Sequence, residues 1–206
     1  MAKIKFSKNE LKKQRDALNQ FKRYLPILQL KKQQLQMEMR HHLDKLKEQV
    51  HQEEILRKSI ENWAGLLGEK GVAVHQWLVP ERVVLSSRNV AGVNIFVFKQ
   101  LEFAIPEYDL FLMSLWIDRA IEFLRELVTI RQEIETIKKN MELLKRELRI
   151  TTQRVNLFEK IKIPEAEEAI RVIKVYLGDQ MANAVGRSKI AKRKIESSST
   201  ANFGVS

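Results

Sequence analysis

The 206-residue sequence contains no cysteine. Without thiols the chain has neither disulfides nor thiolate metal sites, which fits a reducing compartment. Seven glycines and four prolines are few for this length, and 44% hydrophobic with 31% charged residues favours long helices over a sheet protein. No apolar run approaches the ~20 residues of a membrane span, and the N-terminus lacks the apolar core of a secretory signal. We therefore expect neither a transmembrane helix nor a signal peptide.

Acidic residues are outnumbered by basic ones, 26 Asp and Glu against 37 Lys and Arg, and the formal net charge is +11. Such an excess predicts an acidic partner, and nucleic acid, anionic lipid and acidic protein surfaces all qualify. The cations concentrate near the two termini. If the terminal helices pair antiparallel, both basic clusters lie at the same end: Lys3, Lys5, Lys8, Lys12, Lys13 and Arg15 in one, and Arg187, Lys189, Lys192, Arg193 and Lys194 in the other.

The longest stretch without a helix breaker runs from residue 107 to residue 163. Its apolar residues step by three and then four, which indicates a coiled-coil seam, and at ~1.5 Å per residue the helix would be about 85 Å long. A matching stretch spans residues 7 to 64, with Ser7 and Glu10 as a capping box and Pro26 as a local bend. The predicted seam includes Leu18, Phe21, Leu28 and Leu35 in the first stretch, and Leu127, Ile134, Met141 and Leu148 in the second.

A β-rich segment separates the two helical stretches. Residues 83 to 85 and 93 to 98 are β-branched and aromatic, and residues 86 to 92 have turn chemistry, which predicts a β-hairpin with room for a third short strand at 101 to 105. An isolated hairpin is marginal in water, so it must pack on the helices or on a partner. Pro106 is expected to open the second helix.

The predicted fold is mainly α: a long antiparallel coiled-coil hairpin with a small β-containing head at its turn and a left-handed supercoil. The predicted parts are an N-terminal helix (7 to 64), a head (65 to 106), a C-terminal helix with a kink near Pro164 (107 to 195) and a disordered tail (196 to 206). Gly178 lies within the last helix and predicts either a bend or the close approach of another group.

The sequence offers no catalytic constellation. The four histidines have no helical metal-ligand spacing, and we expect them to be exposed: His41, His42, His51 and His75. The glycines near residue 68 lack the Gly-Lys-Ser/Thr ending of a phosphate loop. No cofactor or metal is predicted, and the chain is not expected to be an enzyme. The polar cluster 151 to 156 within the seam is either a register-setting layer or a docking site for another subunit.

The C-terminal third carries a specific resemblance. Thr151-Thr152-Gln153-Arg154-Val155-Asn156, then Leu157-Phe158-Glu159-Lys160 and Ile163-Pro164, followed by Tyr176-Leu177-Gly178-Asp179-Gln180 and Lys189-Ile190-Ala191-Lys192-Arg193-Lys194, closely resembles the D subunit of the V-type (archaeal/vacuolar) ATPases and ATP synthases. The resemblance extends over about residues 7 to 195 and is weaker in the first helix.

This resemblance implies a non-catalytic central rotor shaft that carries torque between an ATP-hydrolysing or ATP-synthesising ring and a membrane ring that moves ions. The implied partners are the catalytic and regulatory ring subunits, the F subunit, and a funnel-shaped subunit linking to the membrane ring. The implied location is cytoplasmic and peripheral to the membrane, without insertion. The expected ring contact is a basic tip of Lys8, Lys12, Arg187, Lys189, Lys192 and Arg193; the expected F-subunit site is Thr151, Thr152, Gln153, Arg154, Asn156 and Phe158.

Two alternatives follow from the charge alone. A basic coiled coil could bind nucleic acid, although no nucleic-acid-binding motif is present. Basic amphipathic helices could also serve a scaffold or lie on anionic lipid, although a narrow seam suits a partner helix better than a bilayer. Salt-dependent binding to DNA or RNA, and flotation with liposomes, would distinguish these alternatives.

Overall fold

A computed structural model describes residues 5 to 65, 74 to 104 and 116 to 202, with side chains from residue 76 in the second range and to residue 197 in the third. These residues form α1 (Lys8–Glu61), a 3₁₀ helix (Val74–Leu78), β1 (Pro80–Val90), β2 (Val93–Phe103), α2 (Trp116–Leu157), a π-helical turn (Phe158–Lys162) and α3 (Ile163–Asn202). The prediction of long N- and C-terminal helices with a small β-hairpin is confirmed. The expected helix start at Pro106 lies outside the described residues.

The first helix begins at the predicted cap. Ser7 Oγ accepts a hydrogen bond from the Glu10 backbone N–H at 3.2 Å, which satisfies one of the free donors of the first turn and contributes about 1 kcal/mol. Pro26 lies inside α1 without ending it. The helix is held through the proline by its apolar face, since Leu25 and Leu28 on either side are both half-buried.

By its contacts the chain divides into two compact units. We call Met1–Gln29 with Gln153–Ser206 the terminal unit, and Leu30–Thr152 the central unit. In the terminal unit α1 runs antiparallel to the C-terminal helices. The Phe21 and Phe158 rings are 5.3 Å apart and the Phe6 and Tyr176 rings 4.9 Å apart, so a residue earlier in the sequence meets a later residue of the partner helix.

The central unit also pairs its helices antiparallel. Lys31 Nζ contacts Glu147 at 2.6 Å, and Arg131 Nε contacts Glu53 at 2.8 Å. Leu35 is fully buried against Leu144, with Leu148 packed beside them. All eight predicted seam residues are buried or half-buried. Leu148 of the second series packs beside Leu35 and Leu144, whereas the Phe21 ring contacts Phe158, which lies beyond that series.

The β-hairpin is longer than the sequence predicts. Residues 86 to 90 belong to β1 and residues 101 to 103 to β2, so they form neither a long turn nor a third strand. The turn is only Ala91-Gly92, with φ of 50° and 83°, as a type I′ hairpin requires. The Asn89 side chain donates to Asn94 Oδ1 at 2.6 Å and accepts from the Gly92 N–H at 3.1 Å. These two bonds hold residues 86 to 90, which have a turn-like composition, in register with β2 as part of a strand.

The hairpin lies along the helices of the central unit instead of sitting only at their turn. Near its tip, Ile95 is 1% exposed and packs against Leu35 and Leu144. Near its base, the Arg125 guanidinium donates to the carbonyl oxygens of Trp77 and Ala104, at 3.1 Å and 2.6 Å. The predicted requirement that the hairpin pack on the helices is therefore met along most of its length.

The C-terminal helices are joined by one wide turn. The Ile163 N–H donates to the Phe158 carbonyl, a bond across five residues that defines the π-helical turn Phe158–Lys162. Pro164 follows directly. Because a proline ring clashes with the carbonyl four residues earlier in an α-helix, the wider turn lets the helix continue through Pro164. The sequence predicts a kink near Pro164, and in the structure the irregularity at this place is the π-helical turn.

The helix α3 continues to Asn202, whereas the polar composition predicts disorder from residue 196. Two serines of α3 bond back to the backbone of their own helix: Ser188 Oγ donates to the Ala184 carbonyl at 3.0 Å and Ser197 Oγ to the Lys194 carbonyl at 2.9 Å. Gly178 has no atom within 4 Å of where a Cβ would stand, so no described group approaches it closely.

Candidate interaction surfaces

The described residues hold no metal-like cluster of three or more histidine, cysteine or acidic side chains. Two of the histidines, His41 and His51, are exposed as predicted, and the side chain of His75 lies outside the described residues. The expectation of exposure is wrong for His42, which is 7% exposed. Its position explains this, because His42 occupies the seam phase of α1, seven residues after Leu35.

The predicted basic tip residues are all exposed, and all six lie in the terminal unit: Lys8, Lys12, Arg187, Lys189, Lys192 and Arg193. They do not form one cluster. The contact of Phe6 with Tyr176 marks where the start of α1 meets α3. Arg187 to Arg193 lie 11 to 17 residues further along α3, or about 16 to 26 Å at the rise of an α-helix. The two groups lie toward the same end of the terminal unit, but the C-terminal group extends well past α1.

The overhanging part of α3 is a single amphipathic helix. From Leu177 to Ser197 every residue is exposed except the half-buried Leu177 and Gly186. The apolar residues Met181 and Val185, both 56% exposed, share a face one turn apart, and Ile190 and Ile195 are 59% and 68% exposed. An exposed helix that carries both apolar and basic side chains is suited to enclosure by a partner, because a solvated helix would not need the apolar residues.

The residues predicted to bind the F subunit differ sharply in accessibility. Thr151 is 2% exposed and lies in the seam, and Thr152 and Phe158 are half-buried. The exposed members are Gln153, Arg154 and Asn156. Thr151 therefore matches the register-setting interpretation of this cluster, and only the last three side chains are presented fully to a partner.

Two apolar neighbours complete this surface and were missed from the sequence. Leu157 is 40% exposed and Ile161 is 46% exposed. Arg154, Leu157 and Ile161 follow one another at three- and four-residue steps, so they share a face that points away from the seam. The sequence did contain a signal for this surface, because the helical phase of Leu157 and Ile161 places two large aliphatic side chains outside the seam. We call Gln153, Arg154, Asn156, Leu157 and Ile161 the outer patch.

A polar anchor joins the hairpin to α2 in the central unit. Asn140 is 1% exposed, and its side-chain amide accepts from the Phe96 N–H at 2.9 Å and donates to the Phe96 carbonyl at 2.6 Å. These are the two bonds that a neighbouring strand would make to one residue, so Asn140 closes the edge of β2 at this point. Nothing in the periodicity of α2 distinguishes this asparagine, because its partner is a backbone group 44 residues away.

A second polar contact joins the hairpin to α1. Arg88 of β1 forms an ion pair with Oε1 of Glu38, and the same oxygen lies 3.7 Å from Nε2 of His42. Glu38 has 18% of its side chain exposed and Arg88 has 56%. Burial lowers the pKa of His42 below its ordinary value of 6.5; Glu38 opposes this shift, and His41, Lys45 and Arg88 add to it. His42 is therefore neutral at neutral pH.

The other face of the hairpin is apolar and open. Leu85 and Phe96, which lie on the face opposite Ile95, are 43% and 45% exposed. In the described part of the chain, none of the helices is apolar over the length that a bilayer crossing would require.

Known proteins are similar to this chain over nearly its whole length. A family model described as the ATP synthase D subunit matches residues 10–193. The V-type ATP synthase D subunit of Borreliella burgdorferi is 46% identical over 195 residues, which cover 95% of this chain and 96% of that protein. The V-type ATP synthase D subunit of Chlamydia caviae is 32% identical over 197 residues, 95% of each chain. With long paired helices, a short hairpin and full-length similarity, the chain belongs to the ATP synthase D-subunit family.

Proposed function

We propose that this chain is the central rotor shaft of a V-type ATPase or ATP synthase and carries torque between the ATP-processing ring and the ion-translocating ring. Its membership of the D-subunit family supports the assignment to such a complex. The observation that carries the shaft role is the overhang of α3, an exposed helix that extends past the start of α1 with basic and apolar residues on its surface.

The seam supports the mechanical part of this proposal. Torque transmission needs an element that resists twisting, and tightly packed side chains resist deformation more strongly than solvated ones. In the central unit Leu35, Ile95 and Leu144 form such a packed centre, with exposed fractions of 0%, 1% and 0%. Asn140 and Arg125, both on α2, fix the hairpin to that helix, which adds a third element to the helix pair.

The overhang would enter the ring of catalytic and regulatory subunits, and the ATP sites would belong to that ring rather than to this chain. Arg187, Lys189, Lys192 and Arg193 would face acidic groups of the ring. Exposed charges interact weakly and over distances of about 8 Å at physiological salt, so they can guide a turning shaft without locking it in one orientation. Lys8 and Lys12 would lie at the mouth of the ring.

The outer patch would bind the F subunit, with Leu157 and Ile161 giving the apolar centre and Gln153, Arg154 and Asn156 the polar rim. Apolar residues surrounded by polar ones are the usual composition of a protein interface. The funnel-shaped subunit would connect the shaft to the membrane ring. The chain itself would be cytoplasmic, peripheral to the membrane and without catalytic activity.

The test is reconstitution of the catalytic ring with and without this chain. We expect one copy per ring and a changed rate of ATP hydrolysis. The variant Arg187→Gln, Lys189→Gln, Lys192→Gln and Arg193→Gln should reduce ring assembly or coupling while the chain stays folded by circular dichroism. A control variant removes four exposed cations of α2 instead: Lys138, Lys145, Arg146 and Arg149, each to Gln.

If both variants lose ring binding equally, total charge and not the overhang determines binding. If the overhang variant couples normally, the proposed ring contact is wrong. Tight, salt-sensitive binding to nucleic acid, with no binding to the ring, would instead favour the basic coiled-coil alternative.

A further inference from the structure

We propose that Glu38, Arg88 and His42 form a pH-sensitive latch that holds the β-hairpin against α1 and loosens it when the solution becomes acidic. All three residues lie in the central unit. The latch is independent of the rotor role, because it depends on contacts within this chain.

The latch depends on one shared carboxylate. Arg88 comes from β1, and Glu38 and His42 lie one turn apart on α1, so Glu38 is the link between the hairpin and the helix. The same oxygen, Oε1, faces both the Arg88 guanidinium and the His42 imidazole. Any group that draws Glu38 away from Arg88 weakens the attachment of β1.

His42 is placed to do this. Its ring is almost fully buried, and neither ring nitrogen has a hydrogen-bond partner among the described residues. A buried imidazole without partners is costly, and a buried imidazolium without a counter-ion costs more. When His42 takes up a proton, the nearest anion is Glu38 at 3.7 Å. The imidazolium then competes with Arg88 for one carboxylate and also repels Arg88, and both effects favour release of the hairpin.

The charged groups around His42 determine the sign of the effect. On α1, Glu38 favours the protonated ring, and His41 and Lys45 oppose it; on β1, Arg88 opposes it. Among the described residues, no group of α2 contributes to the pKa shift of His42. Burial is the largest cause of the lowered pKa, and Arg88, the contribution that comes from the hairpin, lowers it further, so the docked hairpin binds protons more weakly than the released one. Docking is therefore strongest above pH 6.5, and its stability decreases as the pH falls below this value.

The remaining contacts of the hairpin do not titrate in this range. The Asn140 amide is uncharged, Arg125 binds two backbone carbonyl oxygens, and Ile95 packs by its apolar surface. Acid should therefore loosen the part of the hairpin near Arg88 while the base near Arg125 stays attached.

The experiment is amide hydrogen exchange on the full chain at about pH 7.5 and about pH 5.5, on either side of the ordinary histidine pKa and corrected for the intrinsic pH dependence of exchange. Residues 163 to 176 of the terminal unit serve as an internal reference. We expect protection of residues 86 to 96 to fall about two- to fivefold relative to the reference at the lower pH, the range for loss of a partly exposed ion pair.

Two variants separate the latch from general acid sensitivity. His42→Gln cannot take up a proton and should abolish the pH dependence of the hairpin. His41→Gln, the matched change at the exposed neighbour, should preserve it. Arg88→Gln should give low protection at both pH values.

A second measurement does not depend on folding of the variants. In the unmodified chain, an NMR titration of the imidazole C–H signals should show His42 titrating below pH 6.5, together with amide shifts of Arg88 and its neighbours. The proposal is overturned if His42 titrates at or above pH 6.5, if the hairpin and the reference lose protection equally, or if His42→Gln retains the wild-type pH dependence.

Discussion

Replacement of Asn140 by alanine tests whether the hairpin is fixed by one side chain. The variant removes two hydrogen bonds to Phe96, at 2.9 Å and 2.6 Å, from a site that is 1% exposed. Each bond contributes about 1 kcal/mol, and an unsatisfied buried backbone group costs about 1 to 3 kcal/mol. We therefore expect the central unit to lose about 2 kcal/mol of unfolding free energy.

The assay combines urea denaturation, followed by far-ultraviolet circular dichroism, with exchange of the Phe96 amide. A loss of about 2 kcal/mol corresponds to roughly 30-fold faster exchange of this amide if it opens locally. Asn156→Ala is the control, because it makes the same change at an exposed site of the same helix. That variant should be unchanged or more stable by about 0.5 kcal/mol, since alanine favours helix more than asparagine does. If Asn140→Ala and Asn156→Ala give the same midpoint and Phe96 stays protected, Asn140 does not anchor the hairpin.

Three further substitutions have distinct expected effects. Leu35→Ala should lower the unfolding free energy measured by urea denaturation by about 3 to 5 kcal/mol, because the side chain is fully buried. The control Leu30→Ala, at a site 55% exposed, should change it by less than about 0.5 kcal/mol. Similar losses for the two variants would contradict the seam assignment. Gly92→Ala should lower the thermal midpoint, since φ is 83° and a side chain there costs about 1 kcal/mol, although the space is open apart from Lys31 Nζ at 3.7 Å. Gly178→Ala should raise the midpoint, by about 1 kcal/mol of added stability, because a Cβ meets nothing within 4 Å; a lower midpoint for Gly178→Ala would contradict the open surroundings of that residue.

The paired helices could be predicted from the sequence because each carries a long repeat of apolar residues at three- and four-residue steps. Four polar residues of α1 interrupt the apolar repeat at its own spacing: Lys32, His42, Gln49 and Glu53. They keep its phase in the structure, because His42 is buried and the other three are half-buried. For these residues, the position in the repeat predicts burial better than the residue type does. The chemistry of histidine suggested exposure for His42, while its phase indicated the opposite.

The hairpin limits could not be read in the same way. Residues Ser86 to Asn89 have turn composition, and their extended conformation depends on pairing with residues 94 to 97 of β2. Such pairing is a tertiary interaction that overrides local preference. For the same reason the anchor at Asn140 was missed, since the backbone of Phe96 leaves no trace in the sequence of α2.

The overhang of α3 depends on a length difference that no local pattern records. Both basic clusters lie near a terminus, and antiparallel pairing correctly places them toward the same end of the terminal unit. How far one helix extends past the other is determined by which residues meet, here Phe6 with Tyr176. That register could be obtained only from the structure.

The π-helical turn at Phe158–Lys162 gives the terminal unit a built-in insertion of one residue. Each residue of an α-helix turns the chain by about 100°, so one extra residue in a regular α-helix would rotate everything after it by that angle. The wider turn takes up the extra residue instead. The seam residues Val155, Phe158 and Lys162 are followed at four-residue steps by Ala166 and Ile170, one residue more than the three- and four-residue repeat requires. Deletion of one residue from Phe158–Lys162 should therefore leave Ala166 and Ile170 facing the seam, whereas the same deletion after Ala166 would turn the rest of the buried face to the side.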